Sequence, residues 1–272
     1  MTQPTTMYRF RIPELTDVRI TGGFWQQWQT AVREGSIPSV LDFLKSTGRI
    51  DAITLDWKPG DEIKPHIFWD SDIAKWIEAA AYSLVHHPND ALMAEVDAII
   101  DLYAAAQGED GYINSYFMVV EPEKRWVNLR DWHELYCAGH MIEAAVAYAQ
   151  NCGKTKFLEI MCRYADYIDS IFGPEEEKMH GYPGHEEIEL ALMRLGEYTS
   201  EERYLQLAKF FVDQRGKEPH YYTAEAIARG EDPDDWHWVT VDDEVSKVDY
   251  RYNQSHRRVS EQDTAVGHAV RA

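Results

Sequence analysis

The sequence has 272 residues, of which 44% are hydrophobic and 12% aromatic, enough apolar material for a sizeable core, and this excludes an intrinsically disordered chain. Its 27 basic and 47 acidic residues give a formal net charge of −20, which repels phosphate backbones and anionic lipid headgroups. We therefore expect neither a nucleic acid nor a membrane surface as partner.

The cysteines predict a reducing compartment. Cys137, Cys152 and Cys162 are odd in number and show no C-x-x-C spacing, which argues against a disulfide framework and against a cysteine zinc module. The first 20 residues lack the apolar run of a secretory signal, and nowhere do 18 apolar residues follow one another. We expect a cytoplasmic protein that is not exported.

The first 45 residues predict an extended segment followed by a helix. Residues 8–20 alternate in a β-like manner until Gly22-Gly23 ends the pattern, so we predict an N-terminal clasp over residues 1–23, packed on the outside of a domain covering 24–272. From Phe24 to Lys45 apolar residues recur at three and four. This spacing predicts a helix with a break around Gly35 to Pro38.

Further helices follow at short intervals. Helical spacing predicts one over Ile73 to Val85, with capping residues in Phe68 to Asp72, and another over Ala91 to Ala106, capped by Asn89-Asp90. Trp132 to Tyr148, which reads WHELYCAGHMIEAAVAY, predicts an amphipathic helix with a Gly-His pair at its start. The rhythm is that of helical hairpins.

The hairpins repeat. Ile142-Glu143-Ala144-Ala145 recurs as Ile188-Glu189-Leu190-Ala191, a shift of 188 − 142 = 46, and Phe157-Leu158 recurs as Tyr204-Leu205, a shift of 204 − 157 = 47. Hairpins of this period stack into a solenoid or close into a barrel of inner and outer helices. We predict an all-α toroid with Ala-rich inner helices and outer helices that carry the large apolar residues.

Three Gly-His pairs stand before apolar runs of helical spacing: Gly139-His140, Gly184-His185 and Gly267-His268. In a ring of hairpins the inner helices begin on one side, so these imidazoles are predicted to line one pocket. The segment from Trp69 to Asp72 occupies the corresponding start one repeat earlier. The alternative for each histidine taken alone is a helix cap or a solvated surface residue.

Other residues leave alternatives open. The tryptophans in or beside loops could be platforms for sugar rings or seals over the core; they are Trp69, Trp126, Trp132, Trp236 and Trp238. A metal on the three histidines is disfavoured, because no carboxylate stands at ligand spacing beside them. The acidic runs Glu231 to Asp235 and Asp242 to Glu244 are predicted to be solvated loops.

Five ordered blocks carry a resemblance to a known family. They are FWDSDIAKWIEAAAYSL (68–84), DGYINSYF (110–117), HELYCAGHMIEAAVAY (133–148), PGHEEIELAL (183–192) and EQDTAVGHAVRA (261–272). In this order they resemble glycoside hydrolase family 127, the β-L-arabinofuranosidases, formerly a domain of unknown function. The likeness runs from about Val18 to the last residue.

The resemblance implies an (α/α)6 barrel catalytic domain that removes terminal β-L-arabinofuranose with retention, and hence a small carbohydrate as partner. It implies that His140, His185 and His268 hold the sugar hydroxyls, which suits a neutral imidazole with its one donor and one acceptor. We add Trp69 and Asp70 to the predicted substrate-binding set because of their equivalent position.

The chain also departs from the family pattern. Members use a cysteine nucleophile on a zinc held by cysteines and a glutamate, and a separate glutamate as acid and base, all beyond the Gly-His-Ala-Val-Arg block. We therefore expect no catalytic residue and no metal ligand in this chain, although zinc is expected in complete members, and we expect the chain alone to be inactive. The open apolar stripe at Val266 to Val270 predicts a barrel that is incomplete at its C-terminus.

Two other functions stay open. The chain could be a non-catalytic helical protein that binds carbohydrate or acts as a scaffold. It could also be another α/α-barrel glycosidase, such as an unsaturated-uronide hydrolase, which would need Asp70 or Asp72 as its acid and base.

Overall fold

The structure is a computed structural model that describes residues 13–233, 237–241, 244–247 and 257–262. The predictions for His268 and Trp236, and for the open apolar stripe near the last residue, lie outside these ranges. For the segment around Trp238 the structure describes the backbone.

Within the described ranges the chain is mainly helical. Nine α-helices and two short strands follow one another: α1 Gly23–Ala31, α2 Ile37–Ser46, α3 Trp69–His86, α4 Asp90–Ala106, α5 Glu134–Cys152, α6 Lys156–Ile171, α7 Ile188–Thr199, α8 Glu202–Gln214, α9 Tyr221–Ala228, β1 His237–Val241 and β2 Glu244–Lys247. The predicted all-α class is confirmed, and the antiparallel hairpin of β1 and β2 is an addition that the sequence did not predict.

The helices form two layers. Helices α3, α5 and α7 lie side by side in an inner layer, and α4, α6 and α8 pack outside them. Helix α5 is buried all round from residue 134 to residue 149. Its small side chains, such as Ala138, Ala144 and Ala145, let α3 and α7 approach closely on its two sides. The predicted alternation of inner and outer helices is confirmed.

The outer helices are amphipathic and turn their large side chains inward. On α6, Phe157, Ile160 and Tyr164 are buried, and on α8 so are Tyr204 and Phe211. Burying one such side chain stabilises the fold by about 1.5–3 kcal/mol before the entropy cost of ordering it. These helices therefore attach the outer layer to the inner one.

The predicted break between Gly35 and Pro38 is wrong in form. The backbone stays helical through a π-helical turn, Val32–Ser36, and α2 follows directly. Pro38 then falls in the first turn of α2, where a helix does not need its missing N–H. The sequence predicted an irregularity at this place, and the irregularity is a π-helical turn that does not end the helix.

Helix α3 begins earlier than predicted. Trp69 is its first residue, so Asp70 and Asp72 lie in the first turn, where their negative charge meets the positive end of the helix dipole. The predicted cap of α4 is confirmed, since the Asn89 side chain accepts a hydrogen bond from the backbone N–H of Leu92 at 3.1 Å.

The segment before α1 lies against the outside of the helices. From residue 13 to residue 20 it forms one 3-10 turn, Leu15–Asp17, where β-like structure was predicted. The carbonyl of Leu15 lies 3.0 Å from Nε2 of His86, and Gln150 donates to Glu14 at 2.9 Å. The boundary between residues 23 and 24 stays a prediction.

The acidic segment Asp242 to Glu244 was predicted as a solvated loop, and for Glu244 this is wrong. Glu244 opens β2 and pairs with Val241 of β1. The β-branched residues of β1, which reads HWVTV, favour a strand. The prediction instead followed the acidic residues beside it. In the described parts of the chain, every helix is too short or too polar to cross a lipid bilayer.

Candidate functional site

The first turns of α5 carry three rings on one face. His133 precedes the helix in the left-handed conformation (φ 56°), and Tyr136 and His140 follow three and seven residues later. The Tyr136 and His140 rings meet edge to face with centroids 4.5 Å apart. His140 therefore lies in the second turn of α5, because the helix begins at Glu134, and the prediction that it stands at the helix start is wrong.

His185 reaches the same rings from the loop before α7. Its centroid lies 4.7 Å from that of His133 and 5.9 Å from that of Tyr136. The structure thus brings two of the predicted site residues, His140 and His185, to one tyrosine. The third, His268, lies outside the described residues.

The glycines of the two Gly-His pairs permit close backbone contacts. A Cβ on Gly139 would lie 2.8 Å from the Glu187 side chain and 2.9 Å from the backbone nitrogen of Ile188. A Cβ on Gly184 would lie 1.8 Å from the carbonyl oxygen of Arg130, which no side chain can tolerate. The first glycine therefore seats the start of α7 against α5, and the second seats the His185 loop against the loop before α5.

The His185 loop is held from below by a buried guanidinium. Arg215 at the end of α8 is fully buried and donates to the carbonyl of Pro183 at 2.7 Å. Its other contacts are to Glu186 at 3.3 Å and Glu189 at 3.4 Å. Tyr222 of α9 donates to the same Pro183 carbonyl at 2.7 Å. The loop is therefore fixed by two helices that follow it in the chain.

Two carboxylates lie beside His140. Nδ1 of His140 is 3.1 Å from Oε1 of Glu187, and both side chains are buried. Glu143, one turn further along α5, is 2.9 Å from the guanidinium of Arg194. The expectation that no carboxylate stands at ligand spacing beside the histidines is wrong: Glu143 lies three residues after His140 on α5, and the loop before α7 brings Glu187 to the same ring.

His140, Glu143 and Glu187 each offer a metal-ligand atom, and these atoms lie within 4.8 Å of one another. Imidazole and carboxylates are ligand types of divalent metals. The Arg194 guanidinium, however, already supplies a positive charge to one of the two carboxylates. In the part of the chain that the structure describes, this is the one place where three such side chains come so close together, and none of them is a cysteine.

The three cysteines of this chain do not suit a zinc site. All three are free thiols, and Cys137 donates to the carbonyl of Ile67 at 3.5 Å from inside the protein. Burial raises the pKa of Cys137, Cys152 and Cys162, which opposes the thiolate form that metal binding requires. We derive no chemical step through a metal held by these residues.

The hydrogen-bond partners of Asp70 are Ser115 and Tyr103, not the histidines. Its carboxylate is buried and accepts hydrogen bonds from the Ser115 backbone at 2.8 Å, from the Ser115 hydroxyl at 3.0 Å and from Tyr103 at 3.4 Å. Burial raises the pKa of Asp70 against these hydrogen bonds. Asp72 instead pairs with Arg49 at 3.0 Å. These contacts disfavour either aspartate as the acid and base of a uronide hydrolase.

The tryptophans divide between two settings. Trp126 is buried and packs edge to face on Tyr112 and Phe172, so it seals the core. Trp69 is partly exposed, with the Arg49 guanidinium 5.0 Å above its ring. The substrate-binding roles of Trp69 and Asp70 stay predictions.

Glu134, at the first position of α5, ties the preceding loop to the helix. It accepts hydrogen bonds from the Tyr112 hydroxyl at 2.5 Å and from the Trp126 backbone at 2.7 Å. Burial raises the pKa of Glu134 to about 8, although both hydrogen bonds act in the opposite direction. The carboxyl group is therefore mainly protonated at neutral pH.

Sequence reasoning missed His133, Tyr136 and Glu187. The first two were recoverable, because residues 133, 136 and 140 share a helix face by spacing alone. Glu187 gave no local signal, since its approach to His140 depends on the missing side chain of Gly139.

A groove of about 450 Å³ lies between α2 and α3, beside this site. It is lined mainly by apolar side chains, including Ile37 and Trp76, and it also contacts Lys75. The Lys75 ammonium lies 4.9 Å from the centroid of Tyr136, so this residue connects the groove to the rings of α5.

Comparison with known proteins agrees with this architecture. A curated relative, the non-reducing end β-L-arabinofuranosidase of Bifidobacterium longum subsp. longum, is 36% identical over 281 residues, which cover 94% of this chain and 41% of that protein. A crystal structure of a GH127 β-L-arabinofuranosidase from Geobacillus stearothermophilus T6 matches with a TM-score of 0.81 and 43% identity, covering 90% of this chain and 38% of that one.

Two further solved structures extend the comparison. A GH127 β-arabinofuranosidase matches with a TM-score of 0.77 and 34% identity, over 95% of this chain and 38% of its own. A structure described as a glycoside hydrolase, at 20% identity and a TM-score of 0.57, shares the fold; the match covers 95% of this chain and 32% of that one. The chain thus spans about two fifths of the length of the β-L-arabinofuranosidases it matches.

The family assignment rests on nearly the whole chain. Residues 17–272 match the family described as β-L-arabinofuranosidase, GH127 catalytic domain. The helical hairpins and the paired histidines on α5 and before α7 lie within this match. The chain belongs to the GH127 β-L-arabinofuranosidase catalytic-domain family.

Proposed function

We propose that this chain supplies the part of a β-L-arabinofuranosidase catalytic domain that holds the hydroxyl groups of a terminal β-L-arabinofuranose. The observation that carries the proposal is the convergence of His140 and His185 on Tyr136. Two imidazoles beside one aromatic ring offer hydrogen-bonding groups for a diol and an apolar surface for the C–H bonds of the sugar.

Glu187 orients the ring of His140. With its carboxylate 3.1 Å from Nδ1 of His140, the proton of the neutral imidazole is favoured on Nδ1. Nε2 then keeps the acceptor lone pair of the ring. The net charge of −20 further favours an uncharged ligand over an acidic saccharide.

The proposal extends to catalysis: the chain binds the sugar but does not hydrolyse its glycosidic bond alone. Retaining hydrolysis needs a nucleophile and a proton donor on either side of the bond. Burial disfavours the nucleophilic thiolate form of Cys137, and Arg194 holds Glu143 at 2.9 Å. The cytoplasmic location and the absence of a metal ligand stay predictions.

Calorimetric titration of the full chain with methyl β-L-arabinofuranoside tests binding. Wild-type protein is expected to bind the glycoside, and His140→Ala to weaken it by about 10-fold or more, because a lost hydrogen bond leaves a buried hydroxyl unsatisfied at a cost of about 1–3 kcal/mol. His180→Ala, at an exposed histidine, is the matched control and should bind like wild type. Equal affinity of the two variants would contradict the proposal.

Release of 4-nitrophenol from 4-nitrophenyl β-L-arabinofuranoside tests the catalytic part. The full chain is expected to give no release above the uncatalysed rate at any pH from 4 to 9. Turnover that His140→Ala abolishes and His180→Ala retains would refute the claim of inactivity and would support the sugar site.

A further inference from the structure

A basic pocket lies where the segment before α1 meets the end of α3. Its volume is about 350 Å³, within the range of sites that bind small molecules. Arginines, histidines and uncharged polar side chains line it, among them Arg19, Gln26, Gln29, Arg33, His86 and His87. The described residues that line it include no aspartate or glutamate, although the whole chain has 47 acidic residues and 27 basic ones.

Helical spacing and one hydrogen bond assemble this pocket. Gln26, Gln29 and Arg33 follow one another at three and four residues, so they share a face of α1 and of the π-helical turn that continues it. His86 is the last residue of α3, and its Nε2 donates to the carbonyl of Leu15 at 3.0 Å, because a carbonyl oxygen only accepts. This bond holds the segment before α1 against the end of α3.

Positive charges meet in the pocket without enough negative charge to balance them. Desolvation, and then the charges of Arg33 and Arg19, lower the pKa of His87, which shows that these groups act on one another. Arg33 pairs with Glu34 at 2.7 Å, but this glutamate side chain is 66% exposed and such pairs are weak. Within the described ranges the Arg19 guanidinium has no ion-pair partner. An anionic ligand would supply the missing counter-charge.

Phosphate is the anion that these donors fit. A guanidinium presents its N–H groups in a planar fork that matches two oxygens of a phosphate group. The pocket is also larger than one phosphate group, and the amides of Gln26 and Gln29 offer donors and acceptors to an attached molecule. The net charge of −20 acts against any anion at a distance, but salt screens that repulsion beyond about 8 Å, so the donors inside the pocket decide binding.

We propose that the basic pocket is a binding site for the phosphate monoester of a small polar molecule. Arg19 and Arg33 hold the phosphate oxygens, with His87 beside them, and the glutamine amides bind the remainder of the ligand. None of the described residues of the pocket belongs to the rings around His140. The inference therefore goes beyond the proposed function and does not depend on it.

Calorimetric titration of the full chain at pH 7 and low ionic strength tests the site with three probes: inorganic phosphate, glycerol 3-phosphate and glycerol. Both phosphates are expected to bind, and glycerol is not. Glycerol 3-phosphate should bind about 10-fold more tightly than inorganic phosphate, the gain from one or two further hydrogen bonds. Equal affinity for the two would overturn the ester and assign free phosphate to the pocket, and binding of neither would overturn the whole proposal.

Arg19→Gln and Arg33→Gln assign the binding to this pocket. Each is expected to weaken the binding of both phosphates by about 10-fold, because a charge-assisted hydrogen bond is lost. Arg163→Gln, at an exposed arginine of α6 outside the pocket, is the matched control for the loss of one positive charge and should bind like wild type.

Arg19 is exposed, so its replacement tests the site without disturbing the core. Unchanged affinity in Arg19→Gln, or an equal loss in Arg163→Gln, would overturn the basic pocket as the phosphate site. The affinity for methyl β-L-arabinofuranoside is expected to be the same in wild type and in both pocket variants, which separates this inference from the sugar site.

Discussion

The raised pKa of Glu134 predicts that the stability of the folded protein depends on pH. This pKa is about 8 in the folded protein, against an ordinary value near 4.5. Between these two values the unfolded chain releases a proton that the folded chain keeps, so the contribution of Glu134 to stability falls as pH rises through this window. Below about pH 4.5 both states are protonated and the penalty vanishes.

The size of the effect follows from the shift. One pKa unit corresponds to about 1.4 kcal/mol, so the shift corresponds to ~5 kcal/mol of lost stability once the pH passes 8. Glu134→Gln cannot ionise, and its amide can still accept from the Trp126 backbone and donate to the Tyr112 hydroxyl. The variant should match wild type near pH 4.5 and exceed it by several kcal/mol near pH 9.

Urea unfolding followed by tryptophan fluorescence at pH 5, 7 and 9 measures this difference. Glu176→Gln, at an exposed glutamate, is the control for the general loss of a negative charge. A Glu134→Gln protein that is less stable than wild type at pH 9, or a difference that does not change with pH, would refute the reasoning.

Two further predictions concern the anchors of the His185 loop. Gly184→Ala must displace the loop from the Arg130 carbonyl, so we expect the free energy of unfolding in urea to fall by about 1–3 kcal/mol. Gly35→Ala is the control, because a Cβ there meets no atom within 4 Å; its free energy of unfolding should be unchanged or higher. Arg215→Lys keeps the charge but cannot reach the Pro183 carbonyl and both glutamates together. We expect the free energy of unfolding to fall by about 3 kcal/mol and methyl β-L-arabinofuranoside to bind more weakly in calorimetry. Wild-type values for both measurements would contradict the anchoring role.

Periodicity predicted the helical architecture well because that information is local. The recurrence of Ile142 to Ala145 as Ile188 to Ala191 identified α5 and α7 as equivalent inner helices. Helix boundaries were less accessible. The start of α5 depends on the left-handed backbone of His133, and that of α3 on the packing of Asp70 against Ser115, neither of which a hydrophobic pattern records.

The sequence predicted the proximity of two histidines, whereas their contacts with other segments were not predictable; their binding role stays a prediction. Two of the three predicted histidines, His140 and His185, do meet at one tyrosine. Their carboxylate neighbour Glu187 and the buried Arg215 arrive through contacts between distant segments, which become visible only once the helices are packed.

The way the His185 loop is anchored also sets an order of assembly. Its carbonyl groups accept hydrogen bonds from Arg215 and Tyr222. These two residues are synthesised some thirty to forty residues after the loop. In a chain synthesised from its N-terminus, α5 can collapse onto α3 and α4 while the second histidine still lacks its support. The proposed sugar site would thus be completed late, when the last of these helices docks.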